Sequence, residues 1–557
     1  MKTLPNLPNE CYYMIFNNLR HNNKSLFSCA LVNRQWCRII IPILWNELEH
    51  HFKDKRIIKI FLLTLNAEEQ ALLVPFKINF PNYPKPLFEY TSYITSVNNY
   101  LSEGIRNWLS YKRYGTRREI EYAIECSLIA MFIRTSKNLK YLSLNEIICN
   151  QLIFDGLYDN NTITSLDLYS YNISDFKSKA TDELLKLLSR NSTITSLNLR
   201  SIQLGSEGVK TLLETLYNNT VLNSLGLVGN QIGDEEGNVL AKFLCKNTTL
   251  TSLILASNNL KSEGGKALAD ALCKNTTLTF LNLASNDLSS KEGKAFADAL
   301  CKNTTLTSLN LDWNNLGSEG GKALADALCK NITLKKLDLR SNELGSAGKA
   351  LANALCKNTT LTSLNLANNR LISDDGEALA NALSKNTTLT SLNLNRNYLR
   401  SKIGKALADA LCRNTTLISL DLGHNYLGLL GLEGIKGLVD ILCKNTTLTS
   451  LNLACNYLTS EGGKALADAL CKNTLLTSLD LSENSLGPEG GKALANALCK
   501  NTTLTYLNLG GNRLGTEGVK ALAISLYKNT TLVSLNIQSN NTNFDLKNYI
   551  QDIEILQ

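Results

Sequence analysis

The chain has 557 residues, more than one compact core normally organises, so several architectural units or an open-ended repeat are expected. Only 8 prolines and 14 phenylalanines accompany an excess of Leu, Asn, Thr, Ala and Gly, the bias left when one short unit is copied many times. The formal charge is +8, and residues 1–135 carry 17 Lys and Arg against 11 Asp and Glu without any dense basic run, which argues against a nucleic-acid surface.

The opening Met1-Lys2-Thr3-Leu4-Pro5-Asn6 has no apolar signal core. The longest apolar stretches, such as 128–133, fall far short of the roughly 20 residues that cross a bilayer. A protein of the cytoplasm or nucleus is expected, neither secreted nor in a membrane.

Residues 1–46 read as a small helical module. Pro8 suits a first helical turn, and Cys11, Ile15 and Leu19 follow on one face at four-residue spacing. A second apolar set, Leu26, Cys29, Ala30 and Val32, leads into Trp36 after a polar break at 20–25. So short a segment builds little core, and a partner helix is physically expected.

The order Leu7-Pro8-Asn9-Glu10, Ile15-Phe16, Leu19, Leu26, Val32-Asn33-Arg34-Gln35-Trp36 and Leu44-Trp45 resembles the F-box pattern. It departs in a longer loop between Leu19 and Leu26, in lacking the usual acidic residue before Leu26, and in Asn33 where Cys is common; these changes are expected to weaken the helix cap more than the binding face. The resemblance implies docking onto the Skp-type adaptor, and through it the cullin, of a ubiquitin ligase. Leu7, Pro8, Ile15, Leu19, Leu26, Val32 and Trp36 are the implied adaptor contacts, with the alternative that some, Trp36 above all, serve the module's own core.

Residues 47–138 are expected to form a helical connector that caps the solenoid to come. Residues 57–65 and 120–133 have helical apolar spacing, and Phe80-Pro81-Asn82-Tyr83-Pro84-Lys85-Pro86 reads as an extended break between them.

From 139 to 557 the chain repeats the frame L-x-x-L-x-L-x-x-N-x-L. The frame starts at Leu222, Leu250, Leu278, Leu306 and Leu334 in steps of 28. It continues at Leu361, Leu389, Leu417, Leu448, Leu476, Leu504 and Leu532, with one residue deleted near Ala347-Gly348 and three inserted around 429–431. Looser copies at Ile163 and Ile194, and one at Leu139, bring the count to 14 or 15.

In the copy at 250–277, Leu253 and Leu255 alternate with polar residues, as a strand with one buried face requires. Asn258 then leaves the strand, placed to bond neighbouring backbone through its amide. Gly264-Gly265 reads as a turn before a helix whose apolar face is Ala267-Leu268 and Ala271-Leu272. Such units bury their leucines only by stacking, strands parallel on one side and helices on the other. Strands space at about 4.8 Å and helices at about 8 to 10 Å, so the stack is expected to bend into a horseshoe with a concave strand face. Period, glycines and paired helical leucines resemble the ribonuclease-inhibitor type of leucine-rich repeat. The fold class is therefore α/β, a repeat solenoid behind an all-α module.

Nine of the 15 cysteines, at 245, 273, 301, 329, 356, 412, 443, 471 and 499, share one slot after the helical Leu. Adjacent helices stand too far apart for the roughly 7 Å limit of a disulfide, no ligand set accompanies the slot, and Ser384 fills one copy of it, so buried thiols packing a helix-to-strand corner are expected. Thirteen seams carry Asn-x-Thr. They read as helix ends, with Asn in the left-handed region, rather than as glycosylation acceptors.

Positions that vary between copies are those packing does not dictate. Asp312, Trp313, Arg340 and Arg396 follow the strand, while Arg370, Tyr398, Tyr426 and Tyr457 follow the repeat Asn. These residues are the candidate contacts to a protein target on the concave face or its rim, because Trp, Tyr and Arg dominate binding hot spots. The alternative for the tyrosines is a ladder that packs only on itself. His424 reads as a polar surface residue.

The four histidines, at 21, 50, 51 and 424, show no metal or triad spacing, and no phosphate loop follows a strand, so neither cofactor nor catalysis is expected. The F-box resemblance implies the substrate-recognition subunit of an SCF-type ligase, a monomer within that complex. A ligase-independent scaffold, sensor or inhibitor similar to ribonuclease inhibitor is the alternative. A Ran-type GTPase activator, which typically carries an acidic tail, fits the ending Asp545-Leu546-Lys547-Asn548-Tyr549 poorly.

Overall fold

The computed structural model describes residues 7–20, 22–46, 51–78, 86, 88–112, 114, 118–145, 151–170, 178–428, 432–547 and 553–557. His21, His50, the break at 80–85 and the insertion at 429–431 lie outside them. The chain forms two compact units, residues 1–231 and 232–557.

The first unit opens with three helices, α1 (Asn9–Asn17), α2 (Asn23–Ala30) and α3 (Arg34–Asn46). Their core is Tyr12, Phe16, Leu26, Ala30, Ile40 and Ile43, with Leu19, Cys29, Trp36, Ile39 and Leu44 packed against it. The stripe that α1 buries is therefore Tyr12 and Phe16, one turn apart, while Cys11 and Ile15 face outward. Two of the three departures from the F-box pattern, the longer loop that contains Asn22 and the Asn at 33, supply caps instead of removing them. Asn22 Oδ1 accepts from Ser25 N at 3.0 Å, and Asn33 Oδ1 accepts from Trp36 N at 2.8 Å.

Four helices follow, α4 (Lys55–Leu62), α5 (Ala67–Ala71), α6 (Tyr100–Lys112) and α7 (Arg118–Thr135), around Phe52, Phe61, Trp108 and Phe132. Trp45, from the closing Leu-Trp of α3, stacks on Tyr90 with ring centroids 4.4 Å apart, so the three-helix module is joined to this layer by an aromatic contact. Glu69 is enclosed and accepts two bonds from Arg134, at 2.7 and 2.8 Å, and one from Asn66 N at 2.8 Å. Strand β1 (Ser96–Val97) then begins a parallel sheet with β2 (Tyr141–Asn145), β3 (Ser165–Tyr169), β4 (Ser196–Arg200) and β5 (Ser224–Gly226). The repeat leucines stand in register, Leu142 beside Leu166 and Leu166 beside Leu197.

In the second unit every copy contributes a three-residue strand, from Ser252–Ile254 to Ser534–Asn536, each parallel to the next, and Glu554–Leu556 adds a last strand. A helix such as Lys261–Leu272 crosses back between strands and buries Leu268, Ala269, Ala271 and Leu272. Gly264 and Gly265 lie inside this helix, not in a turn before it. Their role is close approach: a Cβ on Gly237 would stand 2.7 Å from Gly264 Cα in the next helix, and one on Gly265 2.6 Å from Leu288 Cδ2.

Two rows of asparagine hold the stack. The repeat Asn behaves as expected: Asn314 Nδ2 donates to Leu283 O in the previous copy at 3.0 Å and to Leu311 O at 2.9 Å, while its Oδ1 accepts from Asn286 N and Leu288 N. The seam Asn differs from expectation. Asn303 has φ −75°, and the left-handed residues instead precede the repeat Asn, as at Ser257, Ser285 and Trp313. The seam Asn is chosen for its amide: Asn275 Nδ2 reaches Leu244 O at 2.9 Å, and its Oδ1 caps Thr277 N and Leu278 N.

The repeated cysteines also differ from expectation. Six of the nine are exposed and three are half-buried; none of them is bonded to another cysteine. Each follows the last Leu of its helix by one residue, at the C-cap as in Cys273 and Cys329, or in the last turn as in Cys301 and Cys443. Because the slot is not enclosed, a serine there, Ser384, costs little.

Candidate functional site

The three-helix module presents an apolar face outside its core. Of the residues singled out in sequence, Leu7, Pro8, Ile15 and Val32 are exposed, Leu19 and Trp36 are partly buried, and Leu26 is enclosed at 1 % exposure. Trp36 packs on Tyr12 and Phe16 at centroid distances of 5.8 and 5.0 Å, so most of its ring serves the module itself. Four exposed apolar side chains were missed: Met14, Phe27, Leu31 and Tyr13. The signal was present, since Met14 adjoins Ile15 and Leu31 adjoins Val32. Met14 and Leu31 are the most exposed, at 69 % and 73 %, and a short module that leaves this much apolar surface in water has a face suited to a partner.

In the second unit, Trp313 is 55 % exposed and projects from a left-handed backbone, φ +54°. The Arg340 guanidinium of the next copy lies over its ring, 5.9 Å from the centroid, and Arg340 Nε is 3.7 Å from Asp312 Oδ1. Burial, together with Asp338 alongside and against the pull of Arg340, raises the Asp312 carboxyl to about 6. The structure thus gathers Asp312, Trp313 and Arg340 into one cluster. Arg370 is held elsewhere, by Glu343 at 2.7 Å.

Tyr398, Tyr426 and Tyr457 stack in one row, with centroids 6.0 and 5.6 Å apart and planes within 19° and 16°. The ladder packs on itself and still leaves Tyr398 and Tyr457 about half exposed. Arg396 and His424 have equivalent places in successive copies, and burial together with the nearby Arg396 charge lowers the His424 pKa.

A further row went unnoticed in sequence. The middle residue of L-x-L is Asn or Asp in every copy from Leu281 onward, including Asn310, Asp338, Asn365 and Asp421. These stand side by side across the sheet. Each turns an Oδ1 to the backbone N–H two residues on, as Asn310 does to Asp312 at 2.8 Å. The row lines the polar strand face and shapes the bend that carries Trp313.

Among the described residues no group of three or more His, Cys, Asp or Glu is placed to hold a metal, and no helix is long and apolar enough to cross a membrane. Stacked strand-helix copies behind a helical module with an apolar outer face define a protein-binding repeat protein.

Comparison with known families agrees with that class. Residues 4–50 match the family described as F-box-like. The family described as Leucine Rich repeat matches eleven segments: 190–213, 246–269, 274–297, 302–325, 330–348, 357–380, 385–408, 413–436, 444–467, 472–495 and 500–523. The chain is an F-box/leucine-rich-repeat protein. No curated protein sequence matches it. Among solved structures, an internalin (inlF) from Listeria monocytogenes is 22 % identical over 67 % of this chain and 88 % of its own, with a TM-score of 0.42. The actin-binding site 2 of leiomodin-1 is 23 % identical over 32 % of this chain and 87 % of its own, with a TM-score of 0.23.

Proposed function

We propose that the protein is the substrate-recognition subunit of an SCF-type cullin-RING ubiquitin ligase, working in the cytoplasm or nucleus. Residues 1–46 dock on the Skp-type adaptor, 47–138 join that module to the repeats, and 139–557 bind the protein to be modified. The observation that carries the reading is the set of exposed apolar side chains Leu7, Met14, Ile15, Phe27, Leu31 and Val32, which stand outside the module's core on a segment that matches the F-box. Leu19 and Trp36 are partly buried against that core, and Leu26 lies within it.

Transfer chemistry in this reading occurs on other subunits, and the chain acts by proximity. Holding a target lysine near the charged conjugating enzyme raises its effective concentration without any catalytic group here. On the repeats, Asp312, Trp313, Arg340, Arg370, Arg396 and the row Tyr398, Tyr426 and Tyr457 are the proposed contacts to the target.

The test is a pull-down with purified Skp-type adaptor. The full chain should be retained, and the double variant Leu31→Asp, Val32→Asp should not. An unmodified chain that fails to bind would leave a ligase-independent binder as the better account. Target contact is tested by Trp313→Ala with Arg396→Ala, which should change the set of captured proteins.

A further inference from the structure

Trp313 stands where the two adjacent copies have small side chains, Ser285 and Ser341. Its backbone is left-handed, a conformation that a bulky L residue adopts only when the surrounding bend imposes it. An exposed indole is thus held out from the strand face, with the Arg340 guanidinium over its ring.

The contacts that Arg340 makes there are poor ones. Its guanidinium is 5.9 Å from the ring centroid, at the outer limit of about 6 Å for a cation over an aromatic face. Its Nε is 3.7 Å from Asp312 Oδ1, beyond hydrogen-bond reach. That oxygen is shielded from solvent and takes no hydrogen bond at all. By contrast Arg370, one copy further on, pairs with Glu343 at 2.7 Å. Asp338 adds a second carboxylate beside the cluster, its oxygens engaged by Arg340 N and Asn365 Nδ2, each at 3.0 Å.

The chemistry points to a cation. An anion drawn to Arg340 would meet two carboxylates, whereas a basic group would find a ring face and a bare carboxylate oxygen together. Lys336, at the start of the same short strand as Asp338, balances the formal charge of the patch, so recognition rests on the ring and the unpartnered oxygen.

We propose that Trp313 and Asp312 form a subsite for a lysine or arginine side chain of the bound target, which Arg340 fills imperfectly in the free protein and vacates when the target arrives. The proposal rests on the target-binding reading of this face, and deepens it by naming the side chain that the face takes. On entry, the basic group stacks on the indole and donates to Asp312 Oδ1, while Arg340, already about half exposed, swings into solvent.

The test uses the full chain labelled with 5-fluorotryptophan, with the Trp313 resonance assigned by its loss in Trp313→Phe. The probes are N-acetyl-arginine methylamide and N-acetyl-lysine methylamide, with the glutamine and glutamate analogues as neutral and acidic controls. Removing the internal occupant by Arg340→Ala should tighten binding of at least one basic probe by about fivefold or more over the unmodified chain. Adding Asp312→Asn, an isosteric change at an oxygen without a partner, should abolish the shift. Weaker binding in Arg340→Ala, no Trp313 shift there, or a larger response to glutamate would overturn the proposal. The assay contains no target protein, so its failure is separate from a failure of the repeats to capture one.

Discussion

Asn314 donates its buried Nδ2 to the carbonyl of Leu283, one copy earlier, at 3.0 Å, and its Oδ1 takes two N–H groups of that same copy. One side chain therefore closes several backbone groups that the tight bend cannot pair within the sheet. Asn314→Ala would leave them buried and unsatisfied, and should lower stability by about 2–4 kcal/mol. Urea unfolding measures this, with hydrogen exchange expected to quicken first in the copies on either side of residue 314.

The repeated cysteines should behave in the opposite way. Cys301 is exposed at the end of its helix, so Cys301→Ser should change stability by less than about 0.5 kcal/mol. A loss of about 2 kcal/mol in the same urea titration would mean that the thiol packs in a corner after all.

The helical module separates core from face. Phe16 is 2 % exposed, and Phe16→Ala should cost about 3–5 kcal/mol and unfold the module. Met14→Asp, at a side chain 69 % exposed, should leave circular dichroism and melting temperature unchanged while removing adaptor binding. If both variants lose structure equally, the apolar face belongs to the fold.

Asp312 predicts a pH dependence with a definite sign. Its carboxyl is raised to about 6, above the usual value, so the native state holds a proton that the unfolded chain releases. The group therefore favours the fold below its ordinary carboxylate range, and that contribution is lost as pH rises through about 6. Asp312→Asn removes the charge and should stabilise the protein at pH near 7.5 by roughly 1–3 kcal/mol, since a tenfold weakening of the acid on folding corresponds to about 1.4 kcal/mol. The gain should shrink as pH falls toward about 4. A difference between variant and parent that is independent of pH would contradict this placement of the carboxylate.

Much of the repeat was legible because it is periodic. The positions of Leu253, Leu255 and Leu268 follow from alternation and helical spacing, and the structure buries all three. What was misread has a common cause. Cys273 and Asn275 stand two residues apart at a helix end, and no pattern within one copy reveals which of them faces the neighbouring copy. The structure turns the amide inward, because the carbonyl of Leu244 needs a donor, and leaves the thiol half-buried at the cap. Gly264 reads as a turn for the same reason: only the neighbouring helix, whose Gly264 Cα would stand 2.7 Å from a Cβ on Gly237, explains the small residues.

The same division holds for the binding surfaces. Varying positions among faithful copies pointed to Trp313, Arg340 and the three tyrosines without any structure. Tertiary packing decided their state: Tyr398, Tyr426 and Tyr457 share their faces, Arg370 is paired, and Arg340 rests loosely between an indole and a carboxylate. In the module, the order of residues identified an F-box-like segment, while the fold determined that Phe16 and Leu26 face inward and Met14 and Leu31 outward. Sequence by itself determined the repeat unit, its period and the class of protein, since these depend on local spacing. Which side chains remain free for a partner depends on what the neighbouring copy or helix covers, and only the assembled structure decides that.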